Sequence, residues 1–288
     1  MTQENSIASS TRAVRPALVA GGGELPVLIA RQASRLGVPL LVYCTGDTAP
    51  FASIAGVEAM PLPAGGLDMS AALREMIRRG ADSVILAGMV PKNLIYAELP
   101  DPLLKEVVEG GGMDDHSLLG RVVAAFESAG LEVLPYAALL GDSLAPEGHI
   151  AGRAPSAGEM EDVEVGRKVL SAILPLSFGQ GVVVARGAVV AVEAMEGTDA
   201  MIRRAGELVN ERAEHGASPG GVLVKMMRPD QDPRFDVPVV GVDTIRNMKS
   251  AGLTCLAVES GRTLLLDADR FRELAGPLGI SVVGVSAP

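Results

Sequence analysis

Residues 17–44 contain the pattern that most constrains the fold of this chain. The run ALVA is typical of a buried strand, Gly21–Gly23 form a turn, and Pro26 suits the first turn of a helix. Apolar residues then recur at helical spacing up to Gly37, and PLLVYC returns as a second strand. A strand, a covering helix and a second strand in this order predict an α/β unit with a parallel, Rossmann-like sheet.

The same alternation continues along the chain and predicts a second unit. The 288 residues are enough for two domains. Residues 141–158 concentrate Gly, Pro, Ser and Ala, as a boundary does. We therefore assign residues 1–150 to a Rossmann-like N-terminal domain with a glycine-rich loop. Residues 151–288 are predicted to form a C-terminal α/β domain with a mixed sheet, opening with a helix over Glu161–Ile173.

Charge and hydropathy exclude several classes of protein. The net charge of -10 argues against general affinity for nucleic acid, which needs a basic surface. No stretch approaches the roughly 18 consecutive apolar residues of a membrane-spanning helix. The first residues are polar and lack the apolar region of a signal peptide. These features predict a cytoplasmic protein, at most peripheral on the cytoplasmic face of the inner membrane.

The stretch AGGGELP is the first candidate for a binding site. A strand, three glycines and a helix start allow backbone N–H groups to approach a phosphate closely. The stretch is not a complete G-x-G-x-x-G motif, and it lacks the lysine of a P-loop. The loop alone is therefore consistent equally with a structural turn and with a phosphate site. Lys92, in AGMVPKN, follows another predicted strand and is either a phosphate contact or a solvated side chain.

The strand VVAVE runs directly into an acidic segment. Thr198 and Asp199 suit the start of a helix, as cap and first-turn residue. This explanation leaves out Glu193, which the strand alternation places on the same face as the apolar Ala191. A carboxylate cluster at the end of a strand is also a plausible site for a hard divalent cation.

The segment VKMMRPDQDPRFDVP is the most informative. Acids alternate in it with basic and amide groups between two apolar runs: Lys225, Arg228, Asp230, Gln231, Asp232, Arg234 and Asp236. A long solvated loop is one interpretation, and a phosphate and metal site is the other. Since no Ser-His-Asp order, Cys-His pair or CxxC motif is present, metal-assisted hydrolysis is the more economical hypothesis.

Together, AGGGELP, GGMDDHSLL, LLGDSLAP, GQGVVVARGAVVAVEAMEGTDAMIRR and KMMRPDQDPRFDVPVVG resemble the LpxI-type UDP-2,3-diacylglucosamine pyrophosphatases. The resemblance covers nearly the whole chain. It implies hydrolysis of UDP-2,3-diacylglucosamine to UMP and 2,3-diacylglucosamine 1-phosphate (lipid X), in lipid A biosynthesis of a Gram-negative bacterium. It also implies Mg²⁺, or another divalent cation such as Mn²⁺, and water attack at the phosphorus on the sugar side.

Carried over by motif, the resemblance implies roles for individual residues. The catalytic residues would be Asp232, Asp199 and Asp236, of which Asp232 and Asp199 would also bind the metal. The substrate-binding residues would be Gly21, Gly22, Gly23, Leu25, Lys92, Gln180, Thr198, Lys225, Gln231 and Arg234. Whether Asp232 binds the metal or activates water stays open. A metal role for Asp230 is doubtful, because the family often has glycine there.

The glycine loop also suggests two other functions, and the substrate and the size of the chain suggest two partners. A nucleotide-sugar or sugar-phosphate binding protein without catalysis would explain the glycine loop equally well. An NAD-dependent oxidoreductase fits poorly, because the third glycine of the dinucleotide motif is missing. A transient contact with the membrane surface is expected from a lipid substrate, and a homodimer is expected from the size and class of the protein.

Overall fold

The computed structural model describes residues 15–62, 68–88, 101–109, 115–135, 137–176, 179–214, 220–234 and 236–287. The chain divides into two compact units, Met1–Gly141 with Pro233–Phe235, and Asp142–Asp232 with Asp236–Pro288. The division thus lies before the predicted boundary at residue 150. The reason is that residues 148–151 form a strand that pairs with the last strand of the second unit.

The described part of the first unit contains a five-stranded parallel sheet. Its strands are β1 (Pro16–Ala20), β2 (Leu40–Cys44), β3 (Val57–Pro61), β4 (Ser83–Ala87) and β5 (Glu132–Val133). Its helices are α1 (Leu25–Arg35), α2 (Met69–Arg78), α3 (Pro102–Glu109), α4 (Asp115–Ser128) and α5 (Ala137–Leu140). The order β3-β2-β1-β4-β5, with every pairing parallel, confirms the predicted Rossmann-like sheet.

Burial explains why the central strands of this sheet could be predicted and β3 could not. β2 and β4 are buried at every position, as strands covered on both faces are. α2 and α4 cover the sheet through side chains such as Met76 and Phe126, which belong to the same apolar cluster as Tyr43. β3 lies at the edge with no fully buried residue, so its sequence carries little apolar pattern.

The second unit has a mixed sheet, as predicted. Its strands are β6 (Gly148–Ala151), β7 (Gly181–Ala185), β8 (Ala188–Val192), β9 (Val222–Lys225), β10 (Val239–Val240), β11 (Cys255–Glu259), β12 (Leu264–Leu265) and β13 (Ser281–Val285). Its helices are α6 (Ala157–Ile173), α7 (Thr198–Glu214), α8 (Val242–Ser250) and α9 (Ala268–Ala275). The described strands form a sheet in the order β6-β13-β11-β9-β7-β8 and a separate parallel pair, β10 and β12.

A tight hairpin joins β7 and β8 at the dipeptide where the two apolar runs meet. Arg186 and Gly187 both have positive φ, 54° and 74°, as the two-residue turn of a hairpin requires. The carboxylate of Asp162, on α6, accepts hydrogen bonds from the backbone N–H groups of Arg186 at 2.8 Å and Gly187 at 2.6 Å. This buried carboxylate therefore attaches the hairpin to the helix that packs on the sheet.

Helix α6 begins at Ala157, earlier than the predicted Glu161. Ser156 caps it: its hydroxyl accepts from the N–H of Glu159, whose carboxylate accepts from the N–H of Ser156. This reciprocal capping box fixes the start of the helix. Among the described residues, no helix is both long and apolar enough to cross a membrane.

Candidate active site

Three strands of the second sheet end at the same edge, and each end carries a charged side chain. β8 runs parallel to β9 because both are antiparallel to β7, and β9 is parallel to β11. Glu193 follows β8, Lys225 ends β9 and Glu259 ends β11. These residues are 5%, 5% and 1% exposed. Buried charge is thus concentrated at the carboxyl edge, where open α/β sheets bind ligands.

A threonine hydroxyl links the first two of these charges. Lys225 Nζ donates to Thr198 Oγ1 at 2.9 Å, and Thr198 Oγ1 donates to Glu193 Oε1 at 2.9 Å. Lys225 Nζ also donates to the carbonyl oxygen of Val239 at 3.2 Å. The acid that follows the apolar strand β8, Glu193, is therefore itself buried and lies near the buried Lys225.

Burial has a direct effect on Lys225. It lowers the pKa of the Lys225 ammonium below its ordinary value, while the carboxylates of Glu193 and Asp199 act in the opposite direction. Lys225 is 5% exposed, and oxygen atoms of Thr198 and Val239 accept its hydrogen bonds. Its ammonium is therefore fixed in direction, unlike that of a solvated surface lysine.

The network continues through two glutamine residues toward the acid-rich segment. The N–H of Gln180 donates to Glu193 Oε2 at 3.4 Å, and Gln231 Nε2 donates to Gln180 Oε1 at 3.3 Å. Gln231 Nε2 also donates to Asp236 Oδ1 at 3.0 Å, and Gln231 Oε1 accepts from the N–H of Arg228 at 2.7 Å. The segment after β9 is therefore not the fully solvated loop that one interpretation of the sequence suggested.

The predicted acids lie in different environments. Asp199 is exposed in the first turn of α7, and its Oδ1 accepts from Asn247 Nδ2 at 2.9 Å. Asp232 is partly exposed, and its carbonyl oxygen accepts from the N–H of Asp236 at 2.9 Å. Asp236 Oδ2 lies 3.7 Å from Arg228 Nη2. Asp236 is thus paired with a guanidinium, whereas the carboxylate of Asp199 accepts from a neutral amide.

The chemistry of these carboxylates suits Mg²⁺, although they form no closed cage. Among the residues that the structure describes, no group of three or more His, Cys, Asp and Glu side chains is arranged to hold a metal ion. Mg²⁺ commonly takes one or two protein carboxylates and completes its shell with substrate phosphates and water. A pair such as Asp199 and Asp232 therefore stays a prediction that the donor chemistry permits.

The glycine loop of the first unit follows β1, which pairs with β2 on one side and β4 on the other. This is the point where the strand order reverses, and ligands bind there in sheets of this kind. Gly22 and Gly23 are exposed, Leu25 is partly exposed, and the N–H of Gly21 donates to Ala87 at 2.8 Å. Pro26 lies in the first turn of α1, as predicted.

The remaining predicted substrate-binding residues are Lys92 and Arg234. Lys92 lies outside the described residues. Arg234 belongs to the first unit by its contacts, and its Nη1 lies 2.6 Å from Glu127 Oε1 on α4. The Arg234 guanidinium is therefore engaged by a carboxylate in this structure, and substrate binding by it stays a prediction.

Comparison with known proteins assigns both units. Residues 15–143 match the LpxI N-terminal domain, and residues 146–283 match the LpxI C-terminal domain. The chain is also 34% identical over 276 residues to the UDP-2,3-diacylglucosamine pyrophosphatase LpxI of Caulobacter vibrioides, covering 93% of this chain and 96% of that protein. The chain belongs to the LpxI family. The resemblance predicted from its motifs is thereby confirmed.

Two solved structures show remote likeness to this chain. The L-amino acid ligase of Bacillus licheniformis matches 65% of this chain and 41% of its own, with 15% identity and a TM-score of 0.27. The N5-carboxyaminoimidazole ribonucleotide synthetase of Thermotoga maritima matches 64% of this chain and 42% of its own, with 15% identity and a TM-score of 0.23. The chain thus spans less than half of each, and such scores carry no argument about fold or function.

The LpxI C-terminal domain contains a buried acid that the sequence did not single out. Glu259 Oε2 accepts from the backbone N–H of Met227 at 2.9 Å, and Glu259 Oε1 accepts from Arg262 Nη1 at 3.1 Å. Met227 is where the acid-rich segment leaves β9. Glu259 therefore fixes the start of that segment. In the sequence it reads as an ordinary strand end, since its partner Met227 lies 32 positions away.

Proposed function

We propose that this LpxI-family protein hydrolyses the pyrophosphate bond of UDP-2,3-diacylglucosamine, giving UMP and 2,3-diacylglucosamine 1-phosphate. The observation that carries the proposal is the relative named for this activity, which matches 93% of the chain at 34% identity. The buried polar network at the carboxyl edge of the second sheet adds physical support. It joins residues of two of the motifs that carry the sequence resemblance: Gln180, Glu193 and Thr198 of one, and Lys225 and Gln231 of the other.

In the proposed reaction, water attacks the phosphorus on the sugar side. A bond forms between the water oxygen and this phosphorus, the bond from this phosphorus to the bridging oxygen breaks, and UMP leaves with the bridging oxygen. Asp232 would hold the metal or accept a proton from the attacking water. Asp199 would be the second carboxylate that holds the metal, and Gln231 and Asp236 hold the segment that carries Asp232 through the hydrogen bond between their side chains. When bound, Mg²⁺ or Mn²⁺ would neutralise charge on the phosphate oxygens and activate water.

Hydrolysis in ¹⁸O-labelled water tests both the substrate and the bond that breaks. The proposal expects UMP release with Mg²⁺, its loss with excess EDTA, and label in 2,3-diacylglucosamine 1-phosphate but not in UMP. Label in UMP would instead place the attack on the uridine-side phosphorus. Release that survives EDTA would refute the metal role of the acids while keeping the substrate.

Asp232→Asn separates the enzyme from a binding protein without catalysis. Loss of a positioned acid lowers the rate by about a hundredfold or more, while binding of the substrate is expected to persist. Asp269→Asn is the matched control, because Asp269 is an exposed acid of the same unit, with 89% of its side chain accessible. Unchanged turnover in Asp232→Asn would remove this residue from the mechanism.

Because its substrate is a lipid, the proposed reaction belongs to lipid A biosynthesis. We expect the protein to reach this substrate by a transient contact with the cytoplasmic face of the inner membrane. Co-sedimentation with liposomes that contain the substrate, compared with liposomes that lack it, tests this contact, and absence of co-sedimentation argues against it. The expected homodimer is tested by light scattering of the purified protein, where the mass of one 29.7 kDa chain would contradict it.

A further inference from the structure

Glu193 is a buried acid that the surrounding backbone closely encloses. Its carboxylate is buried, and its N–H donates to the carbonyl oxygen of Gly181 at 2.9 Å. A Cβ at Gly181 would lie 2.8 Å from Glu193 Oε2, and a Cβ at Gly179 would overlap the Glu193 carbonyl group. The two glycines of the GQG stretch thus leave the space that Glu193 occupies.

The hydrogen bonds of Glu193 fix the direction of two further groups. An ionised carboxylate only accepts hydrogen bonds, so the single proton of the Thr198 hydroxyl points to Glu193. The lone pairs of that hydroxyl are then available to accept from Lys225 Nζ. Among the described residues, Thr198 and Val239 accept from Lys225. An ammonium has three donors, so one N–H is left for an oxygen of a ligand.

A buried carboxylate also needs a nearby positive charge, because an uncompensated buried charge is strongly destabilising. Lys225 supplies this charge through the bridging hydroxyl. The dependence is mutual: Glu193 makes it possible to keep a charged lysine inside the protein, beside the motifs of the proposed site. Gln180 extends the influence of Glu193 to Gln231 by the hydrogen bonds described above.

We propose that Glu193 is a positioning residue of the pyrophosphatase site, which acts through Thr198 to direct the Lys225 ammonium toward a substrate phosphate. This inference rests on the proposed function and deepens it. Glu193 itself touches no substrate. Its contribution is to hold a pre-oriented cation, whose interaction with phosphate then requires no rearrangement when the substrate binds.

A double-mutant cycle tests the pathway from Glu193 through Thr198. Glu193→Gln keeps the shape but removes the charge, and we expect kcat/KM to fall about 10- to 100-fold, as for other groups that orient active-site side chains. Thr198→Val, which removes the hydroxyl, should fall similarly, whereas Thr198→Ser keeps the hydroxyl and should stay within about threefold of the wild type. The double variant of Glu193→Gln with Thr198→Val should lose no more than the larger single variant. Losses that multiply would overturn the proposal.

A second readout does not depend on activity. Amine labelling followed by mass spectrometry measures how accessible Lys225 is, with the exposed Lys168 and Lys249 as internal controls. We expect Lys225 to label slowly in the wild type and about tenfold faster in Glu193→Gln, since a hydrogen bond to a charged group is lost from its network. Unchanged labelling of Lys225 would overturn the proposal.

The two readouts separate the possible failures. If the wild-type protein released no UMP, the proposed function would fail, yet the labelling would still report whether Glu193 holds Lys225. If Glu193→Gln did not fold, Thr198→Val would provide the same labelling test. This variant removes the hydroxyl that bridges Lys225 and Glu193, while Glu193 keeps its charge. Labelling of Lys225 that stayed slow in Thr198→Val would contradict the bridge.

Discussion

Replacing Gly88 with alanine tests whether the glycine loop of the first unit takes part in substrate binding. Gly88 follows β4 with a φ of +90°, and a Cβ there would lie 2.7 Å from the carbonyl oxygen of Gly22 and 2.8 Å from Pro26 Cγ. Because backbone atoms of the loop meet this Cβ, the loop itself must move. Gly80, before β4, is a matched control: its φ is +81°, and a Cβ there would meet nothing within 4 Å.

The two variants share one energetic cost and differ in another. Both force a left-handed backbone on a residue with a side chain, which costs about 1–2 kcal/mol. For a unit of this size, that lowers the melting temperature by about 2–8 °C. Only Gly88→Ala also displaces the loop. If the displacement removes one charge-assisted hydrogen bond to phosphate, worth about 1.5–3 kcal/mol, kcat/KM falls about 10- to 100-fold.

The assay is UMP release at varied substrate concentration, together with thermal unfolding of each variant. Gly80→Ala should keep kcat/KM within about twofold of the wild type despite its lower melting temperature. Gly88→Ala should lose the larger factor. Equal kcat/KM in two folded variants would refute the argument that the loop contacts the substrate, and would leave the glycines a structural role alone.

Three further predictions concern buried groups of the second unit. Asp162→Ala removes both hydrogen bonds to the β7–β8 hairpin and should lower the free energy of unfolding in urea by about 3–6 kcal/mol, whereas the exposed neighbour Glu161→Ala should change it by less than about 0.5 kcal/mol. Burial raises the pKa of the Cys255 thiol to about 12 from 9.0. Because the folded protein has the higher pKa, the free energy of unfolding keeps its full value below pH 9 and falls by about 4 kcal/mol between pH 9 and 12. The free energy of unfolding of a Cys255→Ser variant, measured over the same pH range, should lack this loss. Glu259→Ala leaves the buried backbone N–H of Met227 unpaired, which should lower the free energy of unfolding by about 1–3 kcal/mol and also slow UMP release. Glu273→Ala, on the exposed face of α9, should change neither quantity. Normal UMP release in Glu259→Ala would show that the acid-rich segment is ordered without Glu259.

The parts of the fold with strong local signals were predictable from the sequence. β1, α1 and β2 lie where the pattern of residues 17–44 placed them, because strand and helix periodicity act over a few residues. β6 was missed in a stretch rich in Gly and Pro, since it becomes a strand only by pairing with β13. The start of α6 was missed because the capping box of Ser156 was not recognised.

Part of the candidate site was likewise predictable from the sequence, and part was not. The motifs pointed to Thr198 and Lys225, and the strand alternation pointed to a buried Glu193. What the sequence could not provide is the hydrogen bond from Lys225 to Thr198, which joins residues 27 positions apart, or the role of Glu259. Such contacts depend on the order and direction of the strands, which local patterns do not determine.

The place of β13 in the second sheet has a consequence for synthesis on the ribosome. All the described strands of the first sheet precede Leu134, so that sheet is available for folding early in translation. β13 lies between β6 and β11, although it is made after all the other described strands of that sheet. The second sheet therefore cannot be completed until Val285 has been synthesised, and shorter nascent chains expose apolar strand surface to chaperones. A stop codon at Ser281 would deprive that unit of an internal strand while leaving the first sheet whole.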